Sequence, residues 1–120
     1  FSMGCGRLFE GTPAQMWTSL QKIMQLPDET KIFCAHEYTQ SNGRFALSVE
    51  PDNPALLARM REVAALRAAG RPTVPSTLGV EKATNPFLRP ASMELRARLG
   101  LADASNTEVF AETRKRKDQF

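Results

Sequence analysis

Three segments of this 120-residue chain open with residues that favour starting a helix. Thr12-Pro13-Ala14-Gln15 puts a hydroxyl at the N-cap and proline at the first helical position, where no N–H is needed. Gln15 stands where it closes a capping box. Met16, Trp17, Leu20, Ile23 and Met24 follow as one apolar face, and Leu26-Pro27-Asp28-Glu29 ends the helix. Asn53-Pro54 gives a second start, followed by the stripe Leu56, Leu57, Met60, Val63 and Ala64 and stopped by Gly70. Ser105, with Glu108 completing its box, starts a third. Thr39 to Val49, with Phe45, Ala46 and Val49 as apolar positions, and Ala91 to Leu99 also read as helices. Glu50-Pro51-Asp52 closes the former. From residue 37 onward the chain therefore reads as a small all-helical unit.

The first 36 residues read differently. Phe1-Ser2-Met3-Gly4-Cys5 reads as the inside of a strand running into a glycine turn, and Lys31 to Cys34 as a short apolar strand. With helix 13–24 between them they suggest a β-α-β remnant of an α/β layer. Because termini normally lie at the surface, a chain opening inside a strand reads as the C-terminal piece of a longer protein. Residues 71 to 90, rich in Pro, Thr and Gly, read as a connection with one short helix. No internal repeat is visible.

Composition narrows the classes. At 42% hydrophobic and 24% charged, the chain is ordinary for a globular domain. Two cysteines, Cys5 and Cys34, are too few for a disulfide framework and point to a reducing, cytoplasmic setting. No apolar stretch approaches the ~18 residues of a membrane span, and no secretory signal pattern is present. A net charge of +3 fits an anionic small ligand as well as nucleic acid.

Two places can carry chemistry. His36, the single histidine, follows the strand 31–34, where α/β sheets place their sites. A zinc site wants three or four ligands, and the candidates within the chain, Cys5, Cys34 and Glu37, do not complete one. Cys34 reads more simply as a small core residue. The second place is Arg114-Lys115-Arg116-Lys117. Arg114 and Lys117, three apart on a helix, can clamp a carboxylate, although cations in a last turn also complement the helix dipole with no ligand at all. Without interleaved aromatics this run is a weak nucleic-acid footprint.

The successive segments Gly4-Cys5-Gly6-Arg7-Leu8-Phe9-Glu10-Gly11-Thr12, Cys34-Ala35-His36-Glu37-Tyr38-Thr39, Val49-Glu50-Pro51, Pro72-Thr73-Val74-Pro75-Ser76-Thr77-Leu78, Asn85-Pro86-Phe87 and Lys117-Asp118-Gln119-Phe120 closely resemble glyoxalase II. This is the hydroxyacylglutathione hydrolase branch of the metallo-β-lactamase superfamily, and the resemblance runs through the whole chain in order. It implies an α+β architecture. Residues 1–36 would be the C-terminal part of the αββα metallo-β-lactamase sandwich, and residues 37–120 the helical domain that binds the glutathione substrate.

The implied reaction is hydrolysis of S-D-lactoylglutathione to D-lactate and glutathione by a hydroxide on two divalent metal ions, zinc first, with iron or manganese as alternatives. By resemblance His36 is a metal ligand, Tyr38 contacts glutathione, and Arg114 and Lys117 hold its glycine carboxylate. Arg7, Phe9 and Asn42 fall at neighbouring positions of the same pocket. Ala35 replaces a usual glycine before the histidine, and Phe9 stands where some members carry tyrosine. The family's other metal ligands, a His-x-His-x-Asp-His cluster, a further histidine and a bridging aspartate, belong upstream of Phe1. The isolated chain is therefore expected to be inactive until joined by that missing N-terminal part. The alternative is a non-catalytic fragment that grips glutathione or another anionic ligand. Neither nucleic acid nor membrane is expected as a partner.

Overall fold

A computed structural model describes all residues, 1–120. It contains α1 (Pro13–Met24), β1 (Lys31–Ile32), α2 (Thr39–Val49), α3 (Pro54–Ala68), β2 (Ser76–Thr77), α4 (Leu78–Thr84), a 3-10 turn (Pro86–Leu88), α5 (Met93–Leu99) and α6 (Asn106–Asp118). The architecture is mostly helical, with one small two-stranded sheet, and no helix is long and apolar enough to cross a membrane.

The helix starts form as their chemistry requires. The Thr12 hydroxyl accepts from the Gln15 N–H at 3.2 Å while the Gln15 side chain accepts from the Thr12 N–H at 2.8 Å, a complete capping box. Asn53 caps α3 through the N–H groups of Ala55 and Leu56. Ser105 caps α6 through the Glu108 N–H and also donates its hydroxyl to the Glu108 carboxylate. At the end of α3, Gly70 takes φ 68°, a left-handed turn that closes the helix without the Cβ clash other residues meet.

The opening segment differs from the strand the sequence suggests. Ser2 and Met3 form a tight turn in which the Gly4 N–H donates to the Phe1 carbonyl, and Met3 sits at φ 56°. Its polar backbone is satisfied by side chains instead of a neighbouring strand. Met3 N–H donates to Glu81 at 2.9 Å, and the Asn85 amide donates to the Gly4 carbonyl at 2.9 Å. The expected β-α-β remnant is accordingly absent from residues 1–36. β1 is confined to Lys31–Ile32 and pairs antiparallel with β2, Lys31 opposite Thr77 and Ile32 opposite Ser76. The segment read as a connection thus supplies a strand, α4 and the 3-10 turn. α5 starts at Met93, capped by Ser92, two residues later than Ala91.

One apolar core joins nearly every helix. Trp17 and Leu20 of α1 pack with Phe45 and Val49 of α2, Leu78, Phe87 and Leu88, Leu95 and Leu99 of α5, and Val109 and Phe110 of α6. Its spine is a row of rings: Trp17 to Phe110 at 5.9 Å, Phe110 to Phe87 at 5.8 Å, Phe87 to Phe45 at 6.1 Å and Phe45 to Phe120 at 5.4 Å. Stacked, tilted and edge-on pairs of this kind contribute about 0.5–1.5 kcal/mol each beyond their buried area. A smaller cluster, Met3, Ala46, Leu56 and Val63, seals α2 against α3. Of the predicted apolar face of α1, Trp17 and Leu20 are buried and Met16 and Met24 pack against the core, while Ile23 remains exposed.

Candidate functional site

Three stretches distant in sequence converge on a cavity of about 380 Å³. The first wall follows the N-terminal turn and carries Phe1, Cys5, Gly6 and Arg7. The turn is fixed by Asn85, and by Asn42, whose amide donates to the Ser2 carbonyl at 3.2 Å. The second wall is the bend after β1, with Cys34, Ala35, His36 and Tyr38, and Asn42 from the first turn of α2. The third is the last part of α6, where Arg114 and Lys117 share one face.

The two cations of α6 differ in state. Arg114 is only 4% exposed, stacks 5.0 Å over the Phe87 ring and donates to the Cys5 carbonyl at 2.7 Å and the Gly6 carbonyl at 3.3 Å. It also pairs with Asp118 through Nη2 at 2.8 Å and Nε at 3.0 Å. Its charge is thus largely answered within the protein, and its evident role is to hold the first wall to α6. Lys117, half-buried, has no carboxylate within ion-pair distance. Arg7 lies 3.9 Å from Asp118 with its side chain 65% exposed, a contact of little energetic weight. The cavity's unanswered positive charge therefore rests on Lys117 and Arg7.

The rings of His36 and Tyr38 stack 5.1 Å apart at an interplanar angle of 12°. Between them in sequence, Glu37 turns its carboxylate toward Thr73. Burial alone would raise this carboxyl, but the N–H and hydroxyl of Thr73, with Arg67 and Thr39, outweigh it and hold the group below the usual carboxylate range. Burial pushes the Cys5 thiol up, with Arg114 pulling the other way.

Of the residues singled out in the sequence, Arg7, His36, Tyr38, Asn42, Arg114 and Lys117 all line this one cavity. Phe9 does not; it is 87% exposed and outside the cavity walls. Sequence reasoning passed over Asp118, whose spacing four residues after Arg114 is a legible helical ion-pair signal. It also passed over Thr73 as Glu37's partner, which no local spacing reveals. A metal ion needs more than this chain assembles. His36 offers one imidazole, and no three His, Cys, Asp or Glu side chains lie close enough together to hold an ion. These residues do not make a metal centre on their own.

The family model described as hydroxyacylglutathione hydrolase C-terminus matches residues 37–120. The chain belongs to that family. The hydroxyacylglutathione hydrolase of Methylococcus capsulatus is 62% identical over all 120 residues, that of Maricaulis maris 59% and that of Brucella ovis 60%. In each case this chain corresponds to 47% of the relative's length, so it spans about half of the curated hydroxyacylglutathione hydrolases it matches. The family match includes Tyr38, Asn42, Arg114 and Lys117, while Arg7 and His36 lie outside it, in residues that the relatives' similarity also covers.

Proposed function

We propose that this chain is the glutathione-gripping portion of a hydroxyacylglutathione hydrolase, an enzyme that hydrolyses S-D-lactoylglutathione and related 2-hydroxyacyl glutathione thioesters. The observation that carries this reading is the single cavity in which Lys117, Arg7, Tyr38, Asn42 and His36 meet. Glutathione is an extended anionic peptide with a terminal glycine carboxylate. Lys117 supplies a charge-assisted bond to that carboxylate, Arg7 adds long-range attraction, and the Tyr38 ring and Asn42 amide offer an apolar face and a polar partner along the peptide. Arg114 contributes by fixing the wall that carries Arg7.

His36 lines the same cavity and brings an imidazole to it. In this reading it is one ligand of a centre of two divalent ions, zinc first, whose remaining ligands lie outside these 120 residues. Such ions supply Lewis acidity and an activated water. The residues of this chain bind and orient the substrate. Residues 1–36 then belong with the metallo-β-lactamase sandwich and 37–120 with the helical substrate domain, in a cytoplasmic enzyme.

Calorimetric titration of the chain with reduced glutathione tests the reading. Binding that weakens about tenfold, ~1.4 kcal/mol, in Lys117→Ala is the expected result. No binding, or binding indifferent to Lys117, would overturn it. Thioester hydrolysis restored by adding the complementary N-terminal half separates the enzyme from a fragment that only binds.

A further inference from the structure

The two rings on which the proposed site relies sit on backbone with little support of its own. Residues 35–38 belong to neither helix nor strand, and the backbone bond from the Asn42 N–H to the Tyr38 carbonyl, 2.9 Å, ties only the last of them. His36 and Tyr38 are both exposed. The Cys34 thiol reaches the His36 carbonyl at 3.8 Å, and the side chain between the two rings ties the stretch to the rest of the fold. Glu37 accepts from the Thr73 N–H at 2.7 Å through one oxygen and from the Thr73 hydroxyl at 2.8 Å through the other. Thr73 belongs to the segment between α3 and β2, and its own carbonyl accepts from Arg59 at 3.2 Å. Its hydroxyl lies 2.6 Å from that of Thr39, the first residue of α2, which donates to the Ser2 hydroxyl at 2.8 Å. Thr39, Thr73 and Ser2 are 0%, 3% and 2% exposed. A buried polar chain thus grips Glu37 on one side of the bend and the start of α2 on the other. The threonine and serine hydroxyls are shielded from water, and Glu37, itself partly exposed, is held at the edge of their network through both carboxylate oxygens.

We propose that Glu37 and Thr73 are positioning residues for the His36–Tyr38 pair. Neither lines the cavity; they act by locking the turn that aims both rings into it. The functional meaning rests on the reading of this cavity as the glutathione thioester site.

His36 and Tyr38 are the only histidine and the only tyrosine, so their ring protons give unambiguous NMR signals. The wild-type chain is expected to show a nuclear Overhauser cross-peak between the two rings. Thr73→Ser, which keeps the hydroxyl, retains it. Thr73→Val and Glu37→Ala lose it, at a temperature where Trp17 fluorescence reports each variant folded. Leu99→Ala, a core truncation in α5 outside the hydrogen-bonded chain, controls for lost stability and keeps the cross-peak. A cross-peak missing from the wild type, surviving both network variants, or lost equally in Leu99→Ala would overturn the proposal. If Thr73→Val does not fold, Glu37→Ala carries the same comparison. Titration with reduced glutathione reads the underlying function separately. A chain with the ring cross-peak that binds no glutathione supports the positioning and overturns the ligand assignment.

Discussion

Arg89 closes a two-pronged ion pair on Glu50, its Nε donating to one carboxylate oxygen at 2.9 Å and its Nη2 to the other at 3.1 Å. Glu50, at the end of α2, is 1% exposed, and the Ser92 hydroxyl donates to it at 2.8 Å. Arg89 also reaches the Lys82 carbonyl at 3.2 Å, so one carboxylate ties together the end of α2, the end of α4 and the N-cap of α5. Removing one partner leaves a charge buried without compensation. Arg89→Leu is expected to destabilise the chain by about 3 kcal/mol, and Arg89→Lys to recover only part because it lacks the planar fork. Urea unfolding should show a lower midpoint with unchanged slope.

The two cations of α6 should separate stability from binding. Lys117→Ala removes a charge with no internal partner and should leave stability within about 0.5 kcal/mol while weakening glutathione binding. Arg114→Ala strips the partner from the Cys5 and Gly6 carbonyls and from Asp118, and should lower both thermal stability and affinity. Paired melting and calorimetry on the two variants decide the matter; equal loss of stability in both would sink the distinction.

Glu81 gives stability an unusual pH dependence. It is fully buried, and burial pushes its carboxyl up from 4.5 despite bonds from the Met3 N–H and Asn85 and the nearby charge of Arg59. The folded chain therefore keeps this proton to higher pH than the unfolded chain does. Between the unfolded and folded values the folded state binds more protons, so this group's contribution falls as pH rises. Urea midpoints measured upward from pH 4.5 should decline more in the wild type than in Glu81→Gln, and a difference of opposite sign would refute the assignment.

Gly43 allows α2 and α3 to approach. A Cβ there would collide with the Met60 sulfur and stand 2.9 Å from the Met3 methyl. Gly43→Ala gains about 1 kcal/mol of helix propensity but incurs overpacking of about 1–3 kcal/mol, so net destabilisation is expected. Adding Met60→Ala should make the Gly43→Ala step less costly, or favourable, in a double-mutant cycle on the melting temperature.

Three helix starts were legible because they are local. Thr12, Asn53 and Ser105 each bond N–H groups two or three residues on, so the signal and its cause share one short window. The opening turn was not legible, because its backbone is satisfied by Asn42, Glu81 and Asn85, at least 40 residues away in sequence. β2 escaped for the same reason: two residues acquire strand geometry only from Lys31 and Ile32 opposite. The site followed a different logic. His36, Arg114 and Lys117 were visible as chemistry before anything showed that one cavity contains them. The ion pair of Arg114 with Asp118 is local, whereas its grip on the Cys5 and Gly6 carbonyls spans more than 100 residues and has no sequence signal.

The Arg114–Cys5 bond joins residues 109 apart, and with it the cavity is walled by residues drawn from 1–7, 34–42 and 114–117. No locally folded fragment contains it. A ligand there has nothing to hold in the unfolded ensemble, so whatever it binds it binds only after global folding. Occupancy then acts as a clasp between the chain's two ends, and the melting temperature should climb steadily with the logarithm of ligand concentration above Kd.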